Sequence, residues 1–217
     1  MQMLGIPTPI RKTETSTVVT GRRAFLGAGL AGAFLVSLPK GAFAALDNAQ
    51  ATALITQAVN DVNTAIASGN TGAALYAQFE AIFNKYADVP TIARSALGPA
   101  ARQASPAQLT AFTSAFRGYL ARKYGQRFRE FKGAKFQVQS ARQVKTFYEV
   151  ASTALLPGQQ PFQVQWQVSD RSGKNLFFNI IVEGVNMLAS ERTEIGAMLD
   201  QQKGSIDGLI RALNSAG

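Results

Sequence analysis

A chain of 217 residues, 47% hydrophobic and 16% charged, has enough apolar material for one sizeable core. It contains no cysteine and no histidine, which excludes disulfides, thiolate nucleophiles and Cys-ligated zinc, and removes the side chain most used as general base and metal ligand. The formal net charge is +9, and the 13 acidic residues show no local cluster suited to a metal cage or a paired-carboxylate site.

Residues 1–44 read as an address. Thr20-Gly21-Arg22-Arg23-Ala24-Phe25-Leu26 resembles the bacterial twin-arginine export signal. The apolar stretch that follows, residues 24–38, is shorter than the ~20 residues a membrane span needs. Ala42-Phe43-Ala44 then offers a small-x-small cleavage pattern. The expectation is a cleaved signal peptide over residues 1–44 and a mature domain over 45–217 working in the periplasm, with an uncleaved anchor or a buried helix as the alternatives. No second long apolar run follows, so the mature part is expected to be soluble.

The signal carries +4 of the net charge, leaving +5 for the mature part. That charge is uneven. Arg117, Arg122, Lys123, Arg127, Arg129, Lys132, Lys135, Arg142 and Lys145 crowd one region, opposed within it by Glu130. In an exported chain such a cluster points away from nucleic acid and toward anionic lipid headgroups or an acidic partner, or it is a solvated face.

The mature chain opens with helical signals. Residues 47–67 place Ile55, Val59, Val62 and Ile66 at helical spacing, with Asp47 and Gln50 in capping-box positions and Gly69 closing the element. A second helix is predicted over 71–86, with Leu75, Phe79, Ile82, Phe83 and Tyr86 on one face. A short third begins at Asp88 and stops at Leu97-Gly98-Pro99. Ser105-Pro106-Ala107-Gln108 starts the longest helix, because Ser caps, Pro suits the first turn and Gln can reach back. Along it Leu109, Phe112, Phe116, Leu120, Tyr124, Phe128 and Phe131 recur every three or four residues, with arginines mostly on other faces.

After Gly133 the period changes to two. Phe136 and Val138, then Phe162, Val164, Trp166 and Val168, alternate with polar residues as strands with one covered face do. Residues 143–153 are predicted as another strand between them. Asp170-Arg171-Ser172-Gly173 makes a turn into a strand over 175–182 that is apolar on both faces and therefore expected to be central. Helices over 187–202 and from Ile206 to Leu213 finish the chain. Helices, then strands, then helices imply an α+β fold, helices packed over an antiparallel, curved sheet.

The residues then resemble a known family. Leu97-Gly98 followed by Ser105-Pro106-Ala107-Gln108, the Phe112, Phe116, Leu120, Tyr124 ladder, Val182-Glu183-Gly184-Val185 leading to Glu191-Arg192, and the closing Gly204-Ser205-Ile206-Asp207-Gly208-Leu209-Ile210 together are similar to the MlaC family of periplasmic phospholipid-binding proteins, also called the toluene-tolerance family. The resemblance covers nearly all of the mature chain. It implies a carrier without catalysis or cofactor, taking phospholipid between the outer membrane and an inner-membrane ABC transporter complex with its periplasmic lipid-binding subunit. It also implies an outer-membrane lipoprotein complex as partner, and transient membrane contact. Some positions depart from the family pattern: Leu176 or Phe177 and Asn179 stand for a Trp and an Asp, Asn186 for a Ser, and Glu191 for a Tyr. A related branch is associated with hopanoids, so a hopanoid or other sterol-like lipid is the alternative cargo.

A lipid chain of about 16 carbons costs on the order of 12 kcal/mol to expose to water, so crossing an aqueous compartment requires a cover. An apolar pocket between helices and a curved sheet would supply it. The candidate lipid-binding residues are Phe79, Phe83, Tyr86, Phe112, Phe116, Tyr119, Leu120, Tyr124, Phe128, Trp166, Phe178 and Ile180, with Trp and Tyr polar ends expected at a wet rim. Two rival readings come from other classes. In an enzyme, Glu183 would serve in acid–base chemistry, or otherwise hold its turn. In an interaction module the same aromatic stripes would form a filled core behind a basic face.

Overall fold

The computed structural model describes residues 46–127 and 133–216. The twin-arginine signal and its cleavage site lie outside the described residues, as do Phe128, Arg129 and Lys132. Within them the chain forms six α-helices and five strands.

Local signals set most of the helix ends. Helix α1 (Asn48–Ala67) starts where the Asp47 carboxylate accepts from the Gln50 N–H at 2.7 Å. The reverse half of the expected capping box is not made, since Gln50 Oε1 is buried without a partner among the described residues. Helix α2 (Gly72–Tyr86) follows, then α3 (Val89–Leu97), capped by Asp88, whose side chain accepts from the Thr91 N–H at 3.2 Å. Gly98 ends α3 at φ +64°, a backbone state that disfavours a side chain, and a 3-10 turn (Gly98–Arg102) leads on. At the start of α4 (Pro106–Arg127) the capping box is complete: Gln108 N–H donates to Ser105 Oγ at 3.2 Å and Ser105 N–H to Gln108 Oε1 at 3.1 Å.

The strands β1 (Lys135–Val144), β2 (Phe147–Leu155), β3 (Phe162–Ser169), β4 (Leu176–Val182) and the short β5 (Val185–Asn186) form an antiparallel sheet in simple sequential order. Register shifts between Val138 and Ala141 in β1, and at Gln167 and Val168 opposite β4, bend the sheet into a curve. The second strand starts later than the expected residue 143. Lys145, at φ +55°, makes the hairpin turn with Thr146, so Gln143 and Val144 belong to β1 and pair back onto Tyr148 and Phe147.

Strand β4 is not central, as its two apolar faces suggested. Beyond it lies only the two-residue β5. Its flank is closed instead by the α2–α3 junction, where Ala87 bridges to Phe177 and the Asp88 N–H donates to the Phe177 carbonyl at 2.8 Å. A strand covered by helical segments along its edge can be apolar on both faces with only a short strand on one side.

Helices α5 (Met187–Gln201) and α6 (Ile206–Ser215) close the fold. Asn179 ties α5 to the sheet: its Oδ1 accepts from the Leu188 N–H at 3.1 Å, in the first turn of α5, and its Nδ2 donates to Gln167 at 3.0 Å. The helices gather on the face of the sheet that carries Val150, Val164 and Val168. The other face is a polar lattice, in which Gln139 and Gln163 both donate to Thr153 Oγ1 at 3.0 and 3.1 Å. Helix α4 packs against α2, α3 and α6. Its Phe112 and Phe116 are fully buried and stack at 5.6 Å, in a core shared with Ile55, Ile195, Leu209 and Leu213.

Candidate functional site

Between the concave face of the sheet and the helices lies a cavity of about 450 Å³ that opens to solvent. Its floor is the inward side of the strands: Phe136 from β1, Phe162, Val164 and Trp166 from β3, and Phe177, Phe178, Ile180 and Val182 from β4. Period-two alternation places Phe162, Val164 and Trp166 on one face, and the register sets Val164 opposite Val182 and Trp166 opposite Ile180. The helical wall comes from Phe83 of α2, Ile92 of α3, Leu120 and Tyr124 of α4, and Met187, Leu188 and Glu191 of α5. Val185, 54% exposed, stands among the lining residues beside the β4–β5 turn.

Six of the sequence-predicted residues are brought together on this wall: Phe83, Leu120, Tyr124, Trp166, Phe178 and Ile180. Five others sit elsewhere, and Phe128 lies outside the described residues. Phe112 and Phe116 are filled core beneath α4. Phe79 packs with Ala65, Leu75 and Ala121 in a second cluster between α1, α2 and α4. Tyr86 is buried in the core and its hydroxyl donates to Asp61 at 2.7 Å, while Tyr119 is buried with its hydroxyl on Glu194. The reason is common to all five. Helical periodicity marks an inward face, and most of that face meets other helices rather than the sheet. Phe136, Phe162 and Val164, which carry the same alternation as Trp166, also line the cavity and were not among the candidates, and Glu191 stood out only as a departure from the family pattern.

The polar ends of the aromatic residues do not sit at a wet rim. The Trp166 indole N–H donates to the fully buried Ser152 at 3.0 Å. The Tyr124 hydroxyl donates to Glu191, whose other neighbour is Lys123 Nζ at 2.8 Å; Lys123 also bonds Glu194, which takes the Tyr119 hydroxyl. Burial, reinforced by the bond to Glu194, pushes the Tyr119 hydroxyl up to about 12. Burial and the Glu191 bond likewise raise Tyr124 well above the ordinary phenol value. For Lys123, burial acts to lower the pKa, but hydrogen bonds to Glu191 and Glu194 outweigh it and hold the ammonium above its ordinary range. Glu191 itself is 4% exposed, and its Oε2 is buried with no hydrogen-bond partner among the described residues.

Three members of the basic cluster, Arg117, Arg122 and Lys123, bond partners on neighbouring helices. Arg117 bonds Glu80 at 2.7 Å and Asn84 at 3.0 Å. Arg122 donates to the Leu213 and Ala216 carbonyls at 2.6 and 2.8 Å, where the C-terminal end of α6 needs donors. Lys123 and Arg142 pair with glutamates, leaving Lys135 and Lys145 exposed without an ion pair among the described residues. Glu183, the candidate acid, is exposed at φ +47° in the β4–β5 turn. Its carboxylate accepts from the Gln163 N–H, and its own N–H donates to the Gln163 carbonyl at 3.0 Å, which makes it the clasp of that turn. No group of three or more potential metal ligands occurs among the described residues. No helix among them is long and apolar enough to cross a membrane.

Comparison with known proteins agrees with this architecture. The sequence profile of the MlaC family, described as MlaC protein, matches residues 54–215. A solved structure of a phospholipid-binding protein from Ralstonia solanacearum, in complex with a phospholipid, has the same fold: TM-score 0.63 at 20% identity, covering 76% of this chain and 94% of that one.

Proposed function

The chain belongs to the MlaC family, and from that premise we propose that it is a periplasmic carrier, shuttling phospholipid between the outer membrane and an inner-membrane ABC transporter complex. The observation that carries this reading is the cavity. At about 450 Å³ it falls within the range of small-molecule sites, and its wall is carbon apart from a few polar groups. An apolar wall of that extent left against water is costly, and the core beside it is already filled by Phe112 and Phe116. Cargo that replaces water there gains ~0.8 kcal/mol for each methylene it hides. The solved relative from Ralstonia solanacearum holds a phospholipid, which supports the same cargo class here.

In this reading residues 1–44 are a twin-arginine signal peptide, residues 45–217 are the carrier, and the partners are the transporter's periplasmic lipid-binding subunit and an outer-membrane lipoprotein complex. Contact with membranes is transient. No chemistry is performed on the cargo, and Glu183 acts by holding the β4–β5 turn near the open side.

The test is mass spectrometry of solvent extracts from protein purified out of its native export compartment without detergent. One phospholipid per chain is expected. Repeated preparations that contain no lipid, and take none up from vesicles, would sink the carrier reading and favour an interaction module.

A further inference from the structure

A second concavity lies outside the lipid site. It is an open groove of about 390 Å³ between α3 and α4, and its lining includes Pro90 and Arg94 of α3 and Leu109, Thr113, Ser114 and Arg117 of α4. Leu109, Thr113 and Arg117 recur every fourth residue, so they form one row along α4, ~12 Å long at ~1.5 Å per residue. The groove shares no lining residue with the lipid cavity. On α3 that division follows from helix geometry: Ile92 faces the cavity, and Pro90 and Arg94, two residues to either side, are turned ~200° from it.

The groove holds cations and no carboxylate. Residues 89–129 contain no Asp or Glu, so α3 and α4 cannot neutralise their own charge. Several cations of α4 take partners from other elements: Arg117 from Glu80 of α2 at 2.7 Å, Lys123 from Glu191 of α5 at 2.8 Å, and Arg122 from carbonyls at the end of α6. Arg94 has no such neighbour. It is exposed, with no ion pair or side-chain hydrogen bond among the described residues. On the opposite wall Arg117 uses Nε and Nη1 on Glu80 and Asn84, which leaves Nη2 for another acceptor. Two guanidinium groups thus flank an apolar stretch made by Pro90 and Leu109, and planar guanidinium donors match carboxylates best.

Resting on the carrier reading, we propose that the α3–α4 groove docks an acidic segment of a protein partner. An apolar side chain of that segment enters against Pro90 and Leu109, and its carboxylates meet Arg94 and the free end of Arg117. A lipid surface does not suit this site, because a bilayer cannot enter a furrow between two helices, whereas a helix or strand of a partner can. Since groove and cavity have no residue in common, a partner seated here leaves the open side of the cavity clear, and the carrier can be held while its lipid moves.

The experiment measures binding of the purified protein, over a salt series, to two probes: the transporter's periplasmic lipid-binding subunit and the outer-membrane lipoprotein complex. The wild-type chain should bind at least one of them, more weakly as salt rises. Arg94→Glu should weaken that binding about tenfold or more and flatten its salt dependence. Ser114→Glu, at an exposed helical position, should act in the same direction by placing a carboxylate in the groove. Lys145→Glu, equally exposed and outside the groove, should leave the affinity unchanged, and all three variants should keep the wild-type lipid content in solvent extracts. Unchanged binding in both groove variants would overturn the inference, as would an equal loss in Lys145→Glu, which would trace binding to diffuse charge. Binding to phosphatidylglycerol vesicles that the same groove variants abolish would overturn it in favour of a membrane surface. Each of these results leaves the carrier reading standing as long as the chain holds lipid; a chain that holds none and binds neither probe would remove both.

Discussion

Trp166 donates its indole N–H to Ser152 Oγ at 3.0 Å, from one strand to its neighbour, on the covered face of the sheet. Ser152 is fully buried and its own hydroxyl donates to the Val164 carbonyl at 3.2 Å. A polar pair is thus closed on itself at the cavity floor, and the large indole ring is fixed edge-on against Phe177, with centroids 5.4 Å apart. The floor keeps its shape without a lipid because no side chain there needs water.

Replacing Ser152 by Ala strands the indole N–H, which should lower stability by ~1–3 kcal/mol. Trp166 is the one tryptophan of the chain, so urea denaturation followed by its fluorescence reports from the site itself. An unchanged midpoint would mean that the bond contributes nothing.

Core and wall aromatics should respond differently to truncation. Phe112→Ala removes a fully buried, stacked ring and is expected to cost ~3–5 kcal/mol. Phe83→Ala removes a half-buried ring at the cavity wall and should cost less than half as much while depressing lipid uptake. Equal losses in chemical denaturation would contradict the division between core and wall.

The network around Glu191 predicts an alkaline limit to stability. Tyr119 holds its proton up to about 12 in the folded chain, against ~10 in an unfolded one; Tyr124 and Lys123 are raised as well. Groups that bind protons more tightly when folded favour folding fully below the unfolded pKa, and the contribution vanishes as pH climbs through the folded value. Denaturation midpoints should hold to about pH 10 and fall steeply toward pH 12. Tyrosinate absorbance of the folded protein should show late titration by Tyr119 and Tyr124; a folded protein with no such late phase would refute the assignment.

Gly98→Ala should destabilise through the backbone. At φ +64° and ψ −135° a side chain is strained, and its Cβ would come within 3.1 Å of Arg192 Nε. A loss of ~1–3 kcal/mol in thermal or urea unfolding is expected, and a neutral result would show that the turn relaxes.

Arg122→Ala should loosen the C-terminus. The side chain is the donor for two carbonyls at the end of α6, so hydrogen exchange over residues 206–215 should accelerate more than in α1 or β2. Uniform protection across the three elements would show that packing of Leu209 and Leu213 suffices.

Much of this fold is legible along the chain because its signals are local. Asp47, Asp88 and Ser105 cap helices by reaching backbone groups three residues away, and Gly98 ends one by its own backbone freedom. Alternation from Phe162 to Val168 assigns the faces of β3 from the pleat alone. Class, element order and the covered side of the sheet follow from such periods.

The cavity does not follow from them, because a period says which side of an element faces inward and not what stands opposite. Phe116 and Leu120 share a stripe on α4, yet one meets helices and the other meets open space over the sheet. The same holds for charge. Arg117, Arg122 and Lys123 read as a basic surface until α2, α5 and α6 fold against α4 and supply their partners, and Glu191 becomes a buried wall residue only because Tyr124, 67 residues earlier, comes to meet it. Contacts between distant elements decide burial, pairing and empty volume, and those three quantities make the site.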